Sequence, residues 1–333
     1  HPLQLPADGD LAPIQVDGVP IQAEHLTLAQ TENQHEHEHG PLAELVTVRD
    51  WLRYAVTRFN RAGCFFGHGL ADAYDEAVYL ILHTLALPLD RLEPFLDACI
   101  PGDEREAIFE VIEKRAVDRL PAPYITGEAW LGDFRFKIDP RVIIPRSYFA
   151  ELLEDGFSPW VRNPDEVTAA MDMCTGSGCL AILMAHAFPN AAIVAVDISQ
   201  DALDVAAENI AAYGLEDRIT LVLSDGFASV PAQRFDLILS NPPYVTREAM
   251  DALPPEYLHE PGLALGSGED GLDLVRTLLE DAPRYLTPDG VLAIEVGHNR
   301  HIVENAFPDL APTWVSAPGG EDKIFVLERG QLL

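Results

Sequence analysis

An α/β fold, with a mostly parallel sheet covered on both faces and an antiparallel hairpin at one edge, follows from three features of this 333-residue chain. After about Glu166, short apolar runs alternate with helical patterns, as they do where each strand is buried between helices. The last two runs are joined only by Ala317-Pro318-Gly319-Gly320-Glu321-Asp322, too short for a helix, so they must pair antiparallel. Upstream the period is first helical and then strand-like, which places a small helical domain and a linking β-hairpin before the sheet.

Residues 1–41 mix Pro, Gly and acids, and no Lys or Arg precedes Arg49, the pattern of a mobile acidic tail. Its His35-Glu36-His37-Glu38-His39 run has imidazoles suited to zinc, copper or nickel, but nothing fixes their geometry and no metal site is expected. Residues 42–120 read as the helical domain. Val48, Trp51, Leu52, Ala55, Val56 and Phe59 recur at helical spacing and Gly63 follows as a stop. Asp75 to Leu82 opens a second helix with acids, and Asp103 to Leu120 is a third, ended by Pro121, with Ile108, Val111, Ile112, Arg115 and Leu120 as its stripe. Residues 121–146 alternate as strands at Tyr124–Thr126, Ala129–Leu131 and Phe134–Ile138 about a Gly132-Asp133 turn. Residues 147–333 form the sheet domain, opening with Ser147 as N-cap of a helix from Tyr148. Its strands are expected at Thr168–Cys174, Ala192–Asp197, Ile219–Ser224, Phe235–Ser240, Gly290–Val296, Thr313–Ser316 and Lys323–Glu328. Helices fill Leu180–Ala187, Ser199–Tyr213, Leu272–Leu286 and His301–Phe307.

Composition narrows the class of function. The chain is 48% hydrophobic, enough for a sizeable core, and has no run near the ~18 apolar residues of a membrane span. Cys64, Cys99, Cys174 and Cys179 form no CxxC pair, so reduced thiols in the cytosol are expected. The 54 acidic and 22 basic residues give a charge of −32, with Lys114, Lys137 and Lys323 the only lysines. A phosphate backbone is therefore a poor partner and a basic protein a good one, although acidity also serves solubility or adaptation to salt.

Chemistry concentrates at two strand ends. Asp172-Met173-Cys174-Thr175-Gly176-Ser177-Gly178-Cys179 joins the first strand to the first helix, where glycines let a ligand approach the backbone and the helix start offers free N–H groups. Asp197 closes the next strand about 20 residues on, where a carboxylate accepts ribose hydroxyls. This pair points to an adenosine-containing cofactor without separating NAD from S-adenosylmethionine. Asn241-Pro242-Pro243-Tyr244 separates them. The Asn241 side-chain oxygen and the Pro242 carbonyl can accept both hydrogens of a planar NH₂ while Tyr244 covers its face, an arrangement suited to methylating an amide or aromatic amine.

With NPPY, the DMCTGSGCLA loop and Val196-Asp197-Ile198-Ser199, residues 45–330 resemble the HemK-type protein-(glutamine-N(5)) methyltransferases, a Rossmann-like S-adenosylmethionine-dependent family. Val142 to Ser147 with Ala150-Glu151-Leu152-Leu153 resembles the branch acting on ribosomal protein L-three. The sister branch, acting on release factors, usually reads PRPDTE there. Trp51-Leu52-Arg53, Arg58-Phe59, Gly67-His68-Gly69, Asp75-Glu76-Ala77, Glu260-Pro261, Ala264-Leu265, Gly268 and Asp270-Gly271-Leu272 point the same way. The resemblance implies that Cys174, Thr175, Gly176, Ser177 and Gly178 line the methionine part of the cofactor, that Asp197 holds its ribose and Asp225 its adenine, and that Phe227 is available to stack where Gly226 stands in place of an aromatic. It also implies Asn241, Pro242, Pro243 and Tyr244 as the substrate site, with Asn241, Pro242 and Tyr244 catalytic and Asn241 also touching the cofactor, ribosomal protein L-three as substrate with release factor as the alternative, and a cytoplasmic enzyme with no nucleic-acid or membrane partner. A DNA adenine methyltransferase shares NPPY but needs a basic DNA-reading surface. Cys179 reads as packing, His68 as a turn or interdomain contact, and Arg146 as either a carboxylate contact or an anchor for the hairpin.

Overall fold

The structure is a computed structural model describing residues 40–316 and 322–332. The expected acidic tail, apart from its last two residues, the His35–His39 run and most of the Ala317–Asp322 connection lie outside the described residues. One helical turn, α1 (Pro41–Glu44), precedes a compact unit that begins at Thr47.

That unit opens with α2 (Val48–Ala62), α3 (Ala73–Thr84) and α4 (Gly102–Ala116). Helix α2 starts at Thr47 because Thr47 and Asp50 cap each other, and it stops at Gly63, whose φ of 64° suits a residue without a side chain. Asp72 starts α3 by accepting the N–H groups of Tyr74 and Asp75. Helix α4 ends at Ala116 rather than at Leu120: Arg119 takes a left-handed φ of 59°, which breaks the helix and turns its guanidinium back to the carbonyls of Ala62 and Gly63. Tyr124–Thr126, expected as a strand, lies in the short helix α5 (Ala122–Thr126). Prolines at 121 and 123 preset helical φ at its first turn, Gly127 at φ 73° closes it, and three alternating residues are too few to show a period. The hairpin follows as β1 (Glu128–Leu131) and β2 (Phe134–Lys137), turning at Gly132 and Asp133 as expected.

Helix α6 (Phe149–Glu154) begins one residue later than expected, with Tyr148 at its cap. Ser147 still accepts the Phe149 N–H, but its own hydroxyl points to Glu295 at 2.6 Å. The sheet then alternates β3 (Ala169–Met173), α7 (Cys179–Ala187), β4 (Ala192–Asp197), α8 (Gln200–Ala212), β5 (Ile219–Leu223) and β6 (Phe235–Ser240). A long excursion carrying α9 (Arg247–Asp251) leads to α10 (Asp273–Tyr285), β7 (Leu286–Glu295), α11 (Arg300–Ala306), β8 (Thr313–Trp314) and β9 (Ile324–Glu328). The order is β5-β4-β3-β6-β7-β9-β8, parallel through β7 and antiparallel at the β9 and β8 edge. The expected Rossmann-like α/β sheet and its edge hairpin are what forms.

Alternation places the core. Ala170, Ile193, Ala195, Leu237, Leu239 and Ala293 face one apolar layer, while Met171, Val194, Val196, Ile238, Leu292 and Ile294 face the other. The chain runs outward from β3 to β5, then returns to β6 on the other side of β3. The crevice at the carboxyl ends of β3 and β6 is the switch point where ligands of such sheets bind.

The excursion after β6 is joined to the helices by buried charge. Glu256 accepts from Arg115 at 3.0 Å, Arg119 at 2.8 Å and the Phe65 N–H at 2.9 Å, and Arg115 also pairs with Glu76. Burial pushes the Glu256 carboxyl up, but these donors outweigh it and hold it at about 2. Replacing Arg115 by Ala strands Glu76 without its cation and leaves Glu256 with Arg119 alone. The expected cost is about 3–5 kcal/mol, read as a lowered urea midpoint at pH 7; a loss under about 1 kcal/mol would mean that the network does not support the fold.

Candidate active site

A cavity of about 310 Å³ opens at the switch point. Its floor is Cys174 and Gly176 after β3, its rim Asp197 to Ser199 after β4, and its far end Asp225 and Gly226 after β5. Asn241 and Pro243 close one side, and Leu263, Ala264 and Leu274 the other. Asp197 is fixed by two backbone amides, Gly176 N–H to Oδ2 at 2.9 Å and Ser199 N–H to Oδ1 at 3.0 Å. Each oxygen keeps a lone pair for a hydroxyl. Burial raises the Asp197 pKa from its ordinary value.

The Asn241 side chain is aimed by its neighbour. Its Nδ2 donates to the Arg146 carbonyl at 3.3 Å, which turns Oδ1 the other way as an acceptor with no partner among the described residues. Arg146 is itself held by a two-pronged pair with Glu260, at 2.6 and 2.8 Å, and lies over the Tyr257 ring. It is therefore an anchor, not a cavity residue. Tyr244 is seated from below: its carbonyl accepts from Asn299 at 2.6 Å, and a Cβ on Gly297 would lie 2.8 Å from its ring, so only glycine fits there.

Of the residues picked out in the sequence, Cys174, Gly176, Asp197, Asp225, Asn241 and Pro243 line this cavity. The others support it. Thr175 is buried and donates to Asp172 at 2.7 Å, the Ser177 carbonyl accepts from Asn209, and Gly178, at φ 80°, packs against Ala206 of α8. Pro242 is buried and Tyr244 sits behind the lip. Phe227 is not a wall of the cavity. It is 5% exposed and stacks on Tyr285 at 4.6 Å in the core, so the apolar walls come from Ile198 and Leu274 instead. Burial pushes the Cys179 thiol up to about 12 and that of Cys174 well above its usual value, so neither serves as a nucleophile at neutral pH. His68 is buried against Tyr257 with Nε2 3.6 Å from Glu260, a contact between the helices and the excursion.

Two buried carboxyls escaped the sequence reading. Asp172 accepts from Thr175 and from the Ala181 N–H at 3.0 Å behind the glycine loop, leaving Oδ1 without a partner among the described residues. Glu295 ends β7 and accepts from Ser147 and from the Tyr148 N–H at 3.1 Å. Burial raises each to about 7. The available signal was an acid inside an otherwise apolar strand, Met171-Asp172-Met173 and Ala293-Ile294-Glu295-Val296.

Residues 161–268 match the family model described as a methyltransferase small domain. A ribosomal protein uL3 glutamine methyltransferase of Neisseria gonorrhoeae is 57% identical over 290 residues, covering 87% of this chain and 97% of that protein. One from Bordetella pertussis is 56% identical over 289 residues, covering 87% and 97%. The chain belongs to the ribosomal protein uL3 glutamine methyltransferase family. The match to these relatives extends well beyond residues 161–268. A solved ribosomal protein L11 methylase from Lactobacillus delbrueckii subsp. bulgaricus matches at 21% identity and a TM-score of 0.38, over 57% of this chain and 82% of that one, too distant to add to the assignment. Among the described residues no helix is long and apolar enough to cross a membrane.

The raised Asp172 pKa has a sign that can be tested. Between about pH 4 and 7 the folded state holds this proton more tightly than the unfolded chain, so stability falls as pH rises, by roughly 1.4 kcal/mol per pH unit. Asp172→Asn cannot ionise and loses that slope. Urea unfolding from pH 5.5 to 8 should show the variant gaining on the wild type as pH rises; parallel curves would place the Asp172 pKa near its ordinary value.

Proposed function

We propose that this enzyme transfers a methyl group from S-adenosylmethionine to the side-chain amide nitrogen of a glutamine in ribosomal protein uL3. The observation that carries the chemistry is the Asn241 amide beside the cavity, turned by the Arg146 carbonyl so that Oδ1 has no partner among the described residues. The names of the relatives supply the protein substrate. Features of the cavity support the methyl donor as its occupant: close backbone at Gly176, two spare lone pairs on Asp197, apolar walls at Ile198 and Leu274, and the carboxyl of Asp225 in the lining as an acceptor for an exocyclic amine. When bound, S-adenosylmethionine would supply an electrophilic methyl and leave as a neutral thioether, and the amide nitrogen that gains the methyl would release one of its two protons to solvent as the product departs.

The protein's part is orientation. An amide nitrogen is a poor nucleophile because its lone pair is delocalised, so it must be held face-on to the donor. Asn241 Oδ1 and the Pro242 carbonyl accept its two hydrogens and fix its plane. Pro243 borders the donor cavity, and Tyr244, seated on Gly297, backs the lip and keeps water from it. The acidic chain attracts a basic ribosomal protein and repels nucleic acid, which favours the free protein over the assembled subunit; a substrate of that kind supports the cytoplasm as the compartment.

Asp197→Ala should lower S-adenosylhomocysteine affinity by about 3 kcal/mol or more, at least roughly 100-fold, since hydrogen bonds to a charged acceptor are worth about 1.5–3 kcal/mol each. Calorimetry on the folded variant checks this, and unchanged affinity would remove Asp197 from the site. Asn241→Ala should keep that affinity within a few fold while single-turnover methylation slows by roughly 100-fold; a near-normal rate would mean that the nitrogen is held elsewhere. Intact-mass analysis of free uL3, assembled large subunits and release factor after incubation with enzyme and methyl donor tests the substrate. Mass gain on uL3 alone supports the reading, and gain on release factor alone replaces it.

A further inference from the structure

The end of β7 stands beside the end of β6. Ser240 pairs with Ile294, so Asn241 and Glu295 come next to each other one residue further on, on the face already occupied by Leu239 and Ala293. The same three-residue strap crosses both. The Arg146 carbonyl accepts from Asn241, while the Ser147 hydroxyl and the Tyr148 N–H both donate to Glu295. We infer that Glu295 is a positioning residue: by clamping Ser147 and Tyr148 it fixes the Arg146 carbonyl and, through it, the orientation of the Asn241 amide. Nothing in the methyl-transfer chemistry above uses this carboxyl, and its importance for turnover rests on that reading.

Glu295 is 1% exposed, and its surroundings explain why the clamp responds to protonation. Burial raises it to about 7, opposed by Ser147, the Tyr148 N–H and the charge of Arg146. Tyr244 faces it from the lip, its own pKa raised by burial and by the Glu295 charge, and Ile324 of β9 lies opposite it as an apolar neighbour. Ionised, Glu295 accepts two charge-assisted hydrogen bonds, and neutral it holds the strap less firmly.

The side-chain NH₂ of Asn241 reports this directly. In ¹⁵N spectra of the full chain, with the signal assigned by its loss in Asn241→Ala, the resonances should move with a midpoint near pH 7. They should stay still in Glu295→Gln, which keeps an acceptor and loses the charge. Asp172 titrates in both proteins, so loss of the response assigns it to Glu295. On uL3, Glu295→Gln should lower kcat about 10-fold with KM and S-adenosylhomocysteine affinity within about twofold, and flatten the pH profile of kcat. Ser147→Ala should lose less, and little more when added to Glu295→Gln. An Asn241 signal that ignores pH in the wild type, or responds equally in the Gln variant, overturns the positioning role. Wild-type protein inert on uL3 would instead overturn the substrate reading, and the spectra would still decide Glu295.

Discussion

Glu260 is the group on which the site depends. It is buried in the excursion after β6 and receives the Arg146 guanidinium through two bonds and the Ile144 N–H at 2.9 Å, with His68 beside it. Burial pushes this carboxyl up, but His68 and Arg146 outweigh it and hold it at about 2. One carboxylate thereby ties together the helices, the linking segment and the sheet. It also anchors the side chain of Arg146, whose carbonyl orients Asn241, so the lip draws support from an ion pair outside the cavity.

The acidity of the chain takes on a different meaning once its arginines are located. Arg115 and Arg119 converge on Glu256, and Arg218 caps the carbonyls of Ala185, Phe188 and Ala191. Arg115 and Arg119 serve an internal seam whose acids, Glu76 and Glu256, are buried with them, so these pairs cancel and the acidity of the chain is carried by its other residues. A buried pair is weak support for stability when compared with apolar packing, but losing one partner is costly because it leaves an uncompensated buried charge.

The sheet was legible because its central strands are buried on both faces, so each reads as a mostly apolar run between helices; the expected ends fall within a residue or two of those observed except at β7, which starts at Leu286 rather than Gly290. Cys174, Gly176, Asp197 and Asn241 were legible for the same reason: strand ends at a switch point are fixed by topology, and their chemistry is local. What could not be read depends on distant partners. Arg119 ends its helix and joins Glu256, 137 residues away, and no local pattern announces that. Phe227 was misplaced because an aromatic after a strand looks the same whether it faces a cavity or, as here, stacks on Tyr285 in the core. Asp172 and Glu295 are ordinary acids in a sequence and become unusual only when burial removes their water.

The excursion between β6 and α10 carries one further consequence, for how such a protein can change over evolutionary time. It supplies Glu256 and Glu260 to cations that lie before the sheet, and Leu263 and Ala264 to the cavity wall. A gene fusion that swapped the leading helices for another recognition module would strand Glu256 in an apolar interior. The helices and the catalytic sheet are therefore inherited as one block, and new substrate preferences have to arise by substitution at their shared seam rather than by shuffling of parts.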